Sequence, residues 1–405
     1  MRKVIIIGSG VSGIVCGICA KRNDNQVIVL EKNNKSLKKL LITGNGKCNY
    51  FNDDFGIFHF YSSSDSLSKF FDVDCKNMVL SFFSSIGVVP KVKSGYYYPN
   101  SGQSYSVYNS LISEASVRGV SIINDCNVFS IVKDGSKFLV STSTGEFIAD
   151  NVVISTGGKS YPKTGSTGDG YSFASCFGHS IVPLFPALVG VVSSDKLRDL
   201  SGVRCDARVS LYAGDFVKSE VGEVQFTDYG ISGICVYNLS IFVNKYLSLG
   251  NSVFIKVNFF DGFCDSVDGF ISLINDMDSV VSRNVSLLFE SYLNYKIVNF
   301  ILKLCGIDGD SSWSDLSISK KRLLASKFID FSINVTGTKD FDVAQVTIGG
   351  VNLDEVNDSF ESILVPGLYI TGEVLDVIGD CGGYNIGFAV LSGIIAGNSI
   401  GGLHD

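Results

Sequence analysis

The sequence predicts an α/β fold in which a parallel sheet, covered on both faces, is interrupted by a β-rich and then a helical insertion. Three observations predict it. A continuous β-branched run, Lys3 to Ile7, leads at once into a glycine-spaced helix and a second apolar run, Val27 to Glu31. After about Pro186 the chain turns to β-like segments with Gly and Asp turns, and between Asp265 and about Phe328 to a helical pattern. The chain then closes on a strand, a glycine-rich loop and a helix, the order in which it opened.

Each element follows in turn. A helix is predicted over Val11 to Lys21, which makes a βαβ unit of minimal length with the two flanking runs. Helical periodicity returns over Ser66 to Gly87 and Tyr105 to Arg118. Val120–Ile123, Asn127–Lys133, Phe138–Ser143 and Glu146–Ile148 read as strands, the last three joined by the turns Asp134-Gly135 and Thr144-Gly145. Asn151–Ser155 is again a buried strand. Leu188 to Lys256 offers several β-like segments with Gly and Asp turns. Leu287, Leu288, Leu293 and Ile297 carry the helical spacing beyond it. Phe331–Val335, Ala344–Ile348 and Leu368–Thr371 return to strand, and a final helix is predicted over Gly383–Asn398.

Composition narrows the function classes. The 405 residues are 45% hydrophobic and 18% charged, which requires large buried cores. A formal net charge of −7 argues against coating nucleic acid or an anionic membrane. Eleven Cys without a pairing pattern read as reduced thiols, so a cytoplasmic location is expected. Arg2 and Lys3 before an apolar stretch resemble a signal peptide, but Gly8, Gly10, Gly13 and Gly17 interrupt it at regular spacing. No uninterrupted apolar run is long enough to span a bilayer; Ile181–Val192 is short and broken by Pro183 and Pro186. Cys16 and Cys19 form a C-x-x-C inside the glycine-rich helix, where small-residue packing is favoured over a redox dithiol. No His/Cys/Asp cluster has metal spacing.

The chemistry is concentrated in three stretches. Gly8-Ser9-Gly10-Val11-Ser12-Gly13 is G-x-G-x-x-G between a buried strand and a helix. Gly8 permits the tight turn, Gly10 lets a pyrophosphate approach the backbone, and Gly13 lets the helix pack on the strand. The helix start offers free N–H groups and a positive dipole to phosphate. Glu31 ends the second strand, where an acid accepts hydrogen bonds from an adenosine ribose and repels the 2′-phosphate of NADP. This unit alone does not separate FAD from NAD. Lys32, Lys35, Lys38 and Lys39 read as a solvated face, and Thr43-Gly44-Asn45-Gly46-Lys47-Cys48-Asn49 as a loop suited to phosphate or ring edges.

The second stretch is Thr156-Gly157-Gly158 after a buried strand, where small residues let the chain pass close to a nucleotide. The third runs from Gly372-Glu373 to Asp380-Cys381-Gly382-Gly383-Tyr384-Asn385-Ile386. A helix start aimed at a flavin ring would stabilise negative charge on the reduced ring, a need that nicotinamide lacks. Further cofactor candidates are Val11, Ser12, Lys32 and Val128.

These motifs, with Ser160-Tyr161-Pro162, Thr164-Gly165-Ser166-Thr167-Gly168-Asp169-Gly170, Val346-Thr347-Ile348-Gly349-Gly350-Val351 and Gly372-Glu373-Val374-Leu375-Asp376, resemble the glutathione-reductase-type FAD proteins. Within them the chain is similar to the flavoprotein family that includes the BaiN-like bile-acid reductases and the aminoacetone oxidases. The resemblance implies a Rossmann-like FAD-binding domain split between 1–187 and 338–405, a β-barrel-like insert at 188–258 and 328–337, and a helical subdomain at 259–327. It also implies that Glu31 meets the adenosine ribose, Glu373 the ribityl chain, and Gly383 to Ile386 the flavin. The chain departs from the family pattern at Lys47 (usually Arg), Tyr50-Phe51 (Leu-Thr), Ile378 (an acid) and Gly387-Phe388 (Gln-Trp). The last lies close to the expected ring and puts the substrate in question.

The expected function is therefore hydride transfer between FAD and a small or medium organic substrate, with NAD(P)H as transient reductant or O2 as acceptor left open. The chain has no second G-x-G-x-x-G for a separate NAD(P)H domain. An RNA-modifying flavoprotein and a flavoprotein without turnover are the alternatives. The acidic balance argues against the first. His59 and His179 lack any partner motif and are expected to be structural. Tyr161 and Tyr384 are candidate proton donors or ring-stacking groups, and Cys381 a candidate thiolate at a helix start, each beside a structural reading. Asp376 and Asp380 are expected to bind cofactor or cap the helix.

Overall fold

The computed structural model describes residues 2–22, 25–71, 74–278 and 283–402. The chain forms two compact units, residues 1–185 with 341–405 and residues 186–340.

The first unit is built on a five-stranded parallel sheet. Its order is Leu368–Ile370, Asn151–Ile154, Arg2–Ile7, Asn25–Leu30 and Ser121–Ile123. Val4–Ile7, Val27–Leu30 and Val152–Ile154 of the central strands are buried, which accounts for their unbroken apolar content. Register decides what this sheet does. Ile7 pairs with Ile154 and Leu30, Ile154 with Ile370, and Leu30 with Ile123, so all five strands stop in one row. The segments that follow them, Gly8–Gly10, Glu31–Lys32, Ser155–Gly158 and Thr371–Glu373, therefore emerge side by side. The carboxyl edge of such a sheet is where open α/β folds take their ligands.

The helices Val11–Ala20 and Tyr384–Gly401 pack against each other through glycine. A Cβ on Gly393 would sit 2.7 Å from Ser12 O, and one on Gly397 2.6 Å from Cys19 Cβ. Gly393, Gly397 and Gly401 recur every fourth residue and lie on one helix face. Cys16 and Cys19 lie in this seam, where burial pushes both thiols up, Cys19 to about 12.

One expectation in this unit needs correction. The helix expected over Ser66–Gly87 is a short 3-10 segment, Asp65–Phe71, and a separate α-helix, Cys75–Ser85; residues 72 and 73 lie outside the described residues. Asp74 caps the second by accepting from the Asn77 N–H, which starts a new helix at that point. The apolar stretch at Ile181–Ala187 is a strand paired with Val346–Val351, a two-stranded arrangement that tolerates its prolines.

The second unit contains a closed barrel in the order Val191–Ser193, Gly230–Ser232, Asp215–Phe226, Arg204–Ala213, Val253–Asn258 and Phe331–Thr338. Helices Val267–Asp278, Val285–Glu290, Tyr295–Cys305 and Ile318–Ile329 follow the fifth of these strands in the order given and precede the last. The stretch in which only β-like segments were expected also holds an α-helix, Ile234–Ser248. Its Val236, Leu239, Ser240 and Val243 are buried at helical spacing. Its Val, Ile, Tyr and Phe content masked that period, because packing overrides propensity. Among the described residues no helix is long and apolar enough to cross a membrane.

Candidate functional site

The site lies along the carboxyl edge of the parallel sheet and is lined by both ends of the chain. Gly8 has φ +100°, and a Cβ there would lie 2.6 Å from Ser155 O. A Cβ on Gly13 would meet Gly8 O at 2.1 Å. These two glycines are required by the protein's own packing. Gly10 differs: the nearest heavy atom to its Cβ position is Ser155 O at 3.9 Å. It caps the helix Val11–Ala20 and is exposed, with no acid in the first turn. A side chain would fill the space in front of the free N–H groups, so this cradle fits a pyrophosphate.

Glu31 is buried, and its carboxylate is well supplied with donors. Oε2 accepts from Ser9 N (3.0 Å) and Ser9 Oγ (2.6 Å), and Oε1 from Asn33 N (2.8 Å) and Asn33 Nδ2 (2.7 Å). The acid is thus locked against the glycine turn. Cys126 N donates to Glu31 O, which brings the buried Val128 strand to the same corner. Lys32 pairs with Asp169 at 2.6 Å and ties the second strand to the loop after Gly157-Gly158.

Thr43 to Asn49 forms a tight coil in which Gly44, Asn45, Gly46 and Cys48 all have positive φ. Cys48 is fully buried and its thiol is pushed up to about 12 by burial, so it packs rather than ionises. Lys47 is exposed. The Asn49 amide faces the carbonyls of Phe51 and Tyr97 at 3.1 Å, which assigns the group turned to them as its NH2.

The C-terminal motif joins these pieces. A Cβ on Gly372 would meet Ser12 Oγ at 2.6 Å, so the third stretch touches the first helix at its start. Glu373 Oε2 pairs with Lys39 at 2.8 Å and Oε1 accepts from Thr347 N at 2.9 Å. A Cβ on Gly158 would meet Glu373 Oε1 at 2.6 Å, so the second stretch meets the third at this carboxylate, one residue beyond the contact of the first at Gly372. The Asn385 side chain bridges Gly379 N and O, both at 2.8 Å, and shapes the loop that precedes Tyr384. Gly383 has φ +97° and rests on the Phe51 backbone, where a Cβ would meet Phe51 O at 2.6 Å. Ile386 is half-buried on the first turn.

Two of the departures from the family pattern, Phe51 and Gly387, lie against each other. A Cβ on Gly387 would lie 2.5 Å from Phe55 Cε2 and 3.1 Å from Phe51 Cδ2. The rings of Phe55 and Phe51 thus occupy the space that a side chain at 387 would need, beside the start of the terminal helix.

Among the acid–base candidates, Tyr161 has φ +56° and donates its N–H to Phe341 O. It sits in the loop whose Lys159 N and Ser160 N both donate to Thr347 Oγ1. Tyr384 begins the terminal helix, and its ring stacks on His59 with centroids 4.6 Å apart. The sequence offered no partner for His59; the structure places it between Asp54 and Asp380. Asp376 accepts from Ser63 N at 2.8 Å and from Ser63 Oγ at 2.5 Å. His179 is buried between Glu355 (2.9 Å) and Ser362 (2.8 Å), in a structural clasp. Among the described residues no group of three or more His, Cys, Asp and Glu is placed to hold a metal ion.

Cys381 is half-buried, and burial pushes its thiol up to about 11, with Asp380 adding to the shift. Only the thiolate is nucleophilic. Alkylation of Cys381, followed by peptide mass mapping, is expected to be slow at neutral pH and to rise with each pH unit toward 11. Rapid labelling at pH 7 would contradict this placement.

The sequence matches the family described as HI0933-like protein Rossmann domain over residues 2–399. The chain belongs to this family of FAD-dependent oxidoreductases. It is 33% identical to 3-dehydro-bile acid delta(4,6)-reductase of Clostridium scindens, over 98% of this chain and 99% of that one. It is 26% identical to ribosomal RNA dihydrouridine synthase of Escherichia coli, over 95% of this chain and 94% of that one. A similar solved fold is the 3-ketosteroid-delta4-(5alpha)-dehydrogenase of Rhodococcus jostii, with TM-score 0.52, 14% identity, and coverage of 99% of this chain and 97% of that one.

Proposed function

We propose that this FAD-dependent oxidoreductase reduces a carbon–carbon double bond conjugated to a carbonyl in a small or medium-sized organic molecule. The observation that carries the reading is the full-length relation to a reductase whose name describes that chemistry, spanning both halves of the site. Bound FAD would supply the two-electron, hydride-transferring chemistry.

The chain's own residues would hold and orient the cofactor. Gly8, Gly10 and Gly13, with Val11 and Ser12 at the helix start, would take the pyrophosphate. Glu31, fixed by Ser9 and Asn33, would orient the ribose, with Lys32 and Val128 flanking it. Glu373, fixed by Lys39 and Thr347, would meet the ribityl chain between Thr156-Gly157-Gly158 and Gly372. Gly46 to Asn49 and the loop Asp380 to Ile386 would border the ring. The terminal helix has no acid in its first turn, so its positive end is not neutralised by its own sequence. NAD(P)H would serve as a transient reductant.

A second reading takes the same chemistry to a nucleobase in RNA, and the 26% relation to ribosomal RNA dihydrouridine synthase favours it. The net charge of −7 weighs against it.

One anaerobic experiment tests both. The bound flavin is reduced, and a 3-oxo steroid with a conjugated double bond, or ribosomal RNA, is added without oxygen. Return of the yellow colour with loss of the enone absorbance is expected for the steroid. Return of colour with RNA alone would select the second reading. A reduced flavin that no conjugated acceptor reoxidises would overturn both.

A further inference from the structure

Asp54, His59 and Asp380 form a hydrogen-bonded line that the cofactor cradle leaves unexplained. His59 Nε2 lies 2.8 Å from Asp54 Oδ2, and Nδ1 lies 3.0 Å from Asp380 Oδ2. The carboxylates differ in surroundings: the Asp54 side chain is 80% exposed and the Asp380 side chain 8%. The line therefore runs from water to the buried loop that starts the terminal helix. Both ring nitrogens face carboxylate oxygens, an arrangement that a doubly protonated imidazole satisfies and a neutral one leaves half repulsive.

The imidazole is held at one face and at both ring nitrogens, with 28% of the side chain left exposed. Its ring stacks on Tyr384 at an interplanar angle of 20°. Asp380 N donates to His59 O at 2.9 Å, and Phe60-Tyr61 pair with Ile378-Gly379 in a short antiparallel ladder. Tyr61 OH donates to Asp380 Oδ1 at 3.1 Å. The titratable groups facing this line, besides Asp54 and Asp380 themselves, are Tyr61, Tyr384, Tyr96 and Cys381. Burial opposes a charge on His59, but the hydrogen bonds and charges of Asp54 and Asp380 outweigh it and raise its pKa above the ordinary value. The ring stays cationic, and able to give up a proton, to a higher pH than a free imidazole does.

We propose that Asp54, His59 and Asp380 form a proton relay that carries a proton from solvent to the glycine loop before the terminal helix. The relay rests on the reductase reading above, because that reaction consumes a proton. Bound FAD in its reduced form would supply a hydride with both its electrons, and the relay supplies the one proton, so that the π bond of the substrate is replaced by two C–H bonds. A nicotinamide or another hydride donor restores the cofactor. His59 gives its proton through Asp380 and regains one from water through Asp54, so the protein is unchanged at the end of the cycle.

Two measurements test it. The chain holds three His, so imidazole signals can be followed by NMR titration and the one missing in His59→Gln assigned. That signal is expected to titrate above the ordinary value of about 6.5 and to fall in both Asp54→Asn and Asp380→Asn. A signal at or below the ordinary value would overturn the relay, whatever the substrate.

The second measurement separates the half-reactions. His59→Gln is expected to keep its flavin and its rate of reduction by the hydride donor, but to slow reoxidation by the enone about a hundredfold, the scale of lost acid catalysis. Asp54→Asn, at an exposed position, should slow the same half-reaction and raise its solvent deuterium isotope effect without disturbing the fold. Unchanged reoxidation in both variants would overturn the relay and leave the reductase reading intact. Failure of the wild-type protein to be reoxidised by any enone would remove the reductase reading, while the NMR titration still reports on the line itself.

Discussion

Purified Gly10→Val protein is expected to be folded and colourless. The Cβ position at Gly10 has only Ser155 O near it, at 3.9 Å, so the protein itself makes room for a side chain. That room faces the start of the helix Val11–Ala20, where the pyrophosphate is expected against the backbone. Valine there would hold the phosphates off the N–H groups. A steric penalty of about 3 kcal/mol, at the upper end for overpacking, lowers flavin affinity by more than a hundredfold. Far-UV circular dichroism should match the wild type, and the visible spectrum should lack flavin bands. Gly13→Val is the contrasting variant. Its Cβ would meet Gly8 O at 2.1 Å, so the helix must leave the strand and the unfolding transition itself should shift. A Gly10→Val protein that keeps stoichiometric flavin would remove the assigned cradle.

Gly397→Leu is expected to produce the largest loss of stability. Even a Cβ there would lie 2.6 Å from Cys19 Cβ, 2.7 Å from Cys16 O and 3.1 Å from Ala20 N. The helices Val11–Ala20 and Tyr384–Gly401 must separate to admit the leucine, and their seam belongs to the main core of the first unit. The gain in helix propensity over glycine is about 1 kcal/mol, and the overpacking penalty of about 3 kcal/mol exceeds it. Chemical denaturation should show a lower midpoint. Gly401→Ala is the milder control, since its nearest contacts, at 3.3 Å, include the Arg22 side chain, which can move. Equal stabilities for Gly397→Leu and the wild type would show that the helices do not pack through these glycines.

Much of the first unit was legible because its signals are local. The strand, turn and helix of Arg2–Ala20 lie on one contiguous stretch, and glycine spacing reports sterics within it. The hairpins at Val128–Asp134, Lys137–Thr142 and Gly145–Ala149 were marked by their turns. The helix Ile234–Ser248 was not legible, because its β-branched and aromatic residues argue for strand until the barrel buries one face of it. The relay residues were also hidden. Asp54 and His59 are five residues apart, but His59 and Asp380 are separated by 321 positions, and no spacing rule connects them. Gly393, Gly397 and Gly401 did show a four-residue spacing, which could have been read as a close helix contact.

By itself the sequence determined that a glycine turn joins the first strand to the first helix, that a glycine loop leads into the last helix, and that a β-rich then helical insertion lies between them. Short-range sterics and hydrophobic period are written in neighbouring residues, so a single chain displays them. Only the tertiary structure decided that five strands end in one row, that Gly158, Thr347 and Glu373 meet, and that His59 lies between two carboxylates. Register and long-range contact come from surfaces that meet only when the chain is folded, and these leave no periodic trace along it.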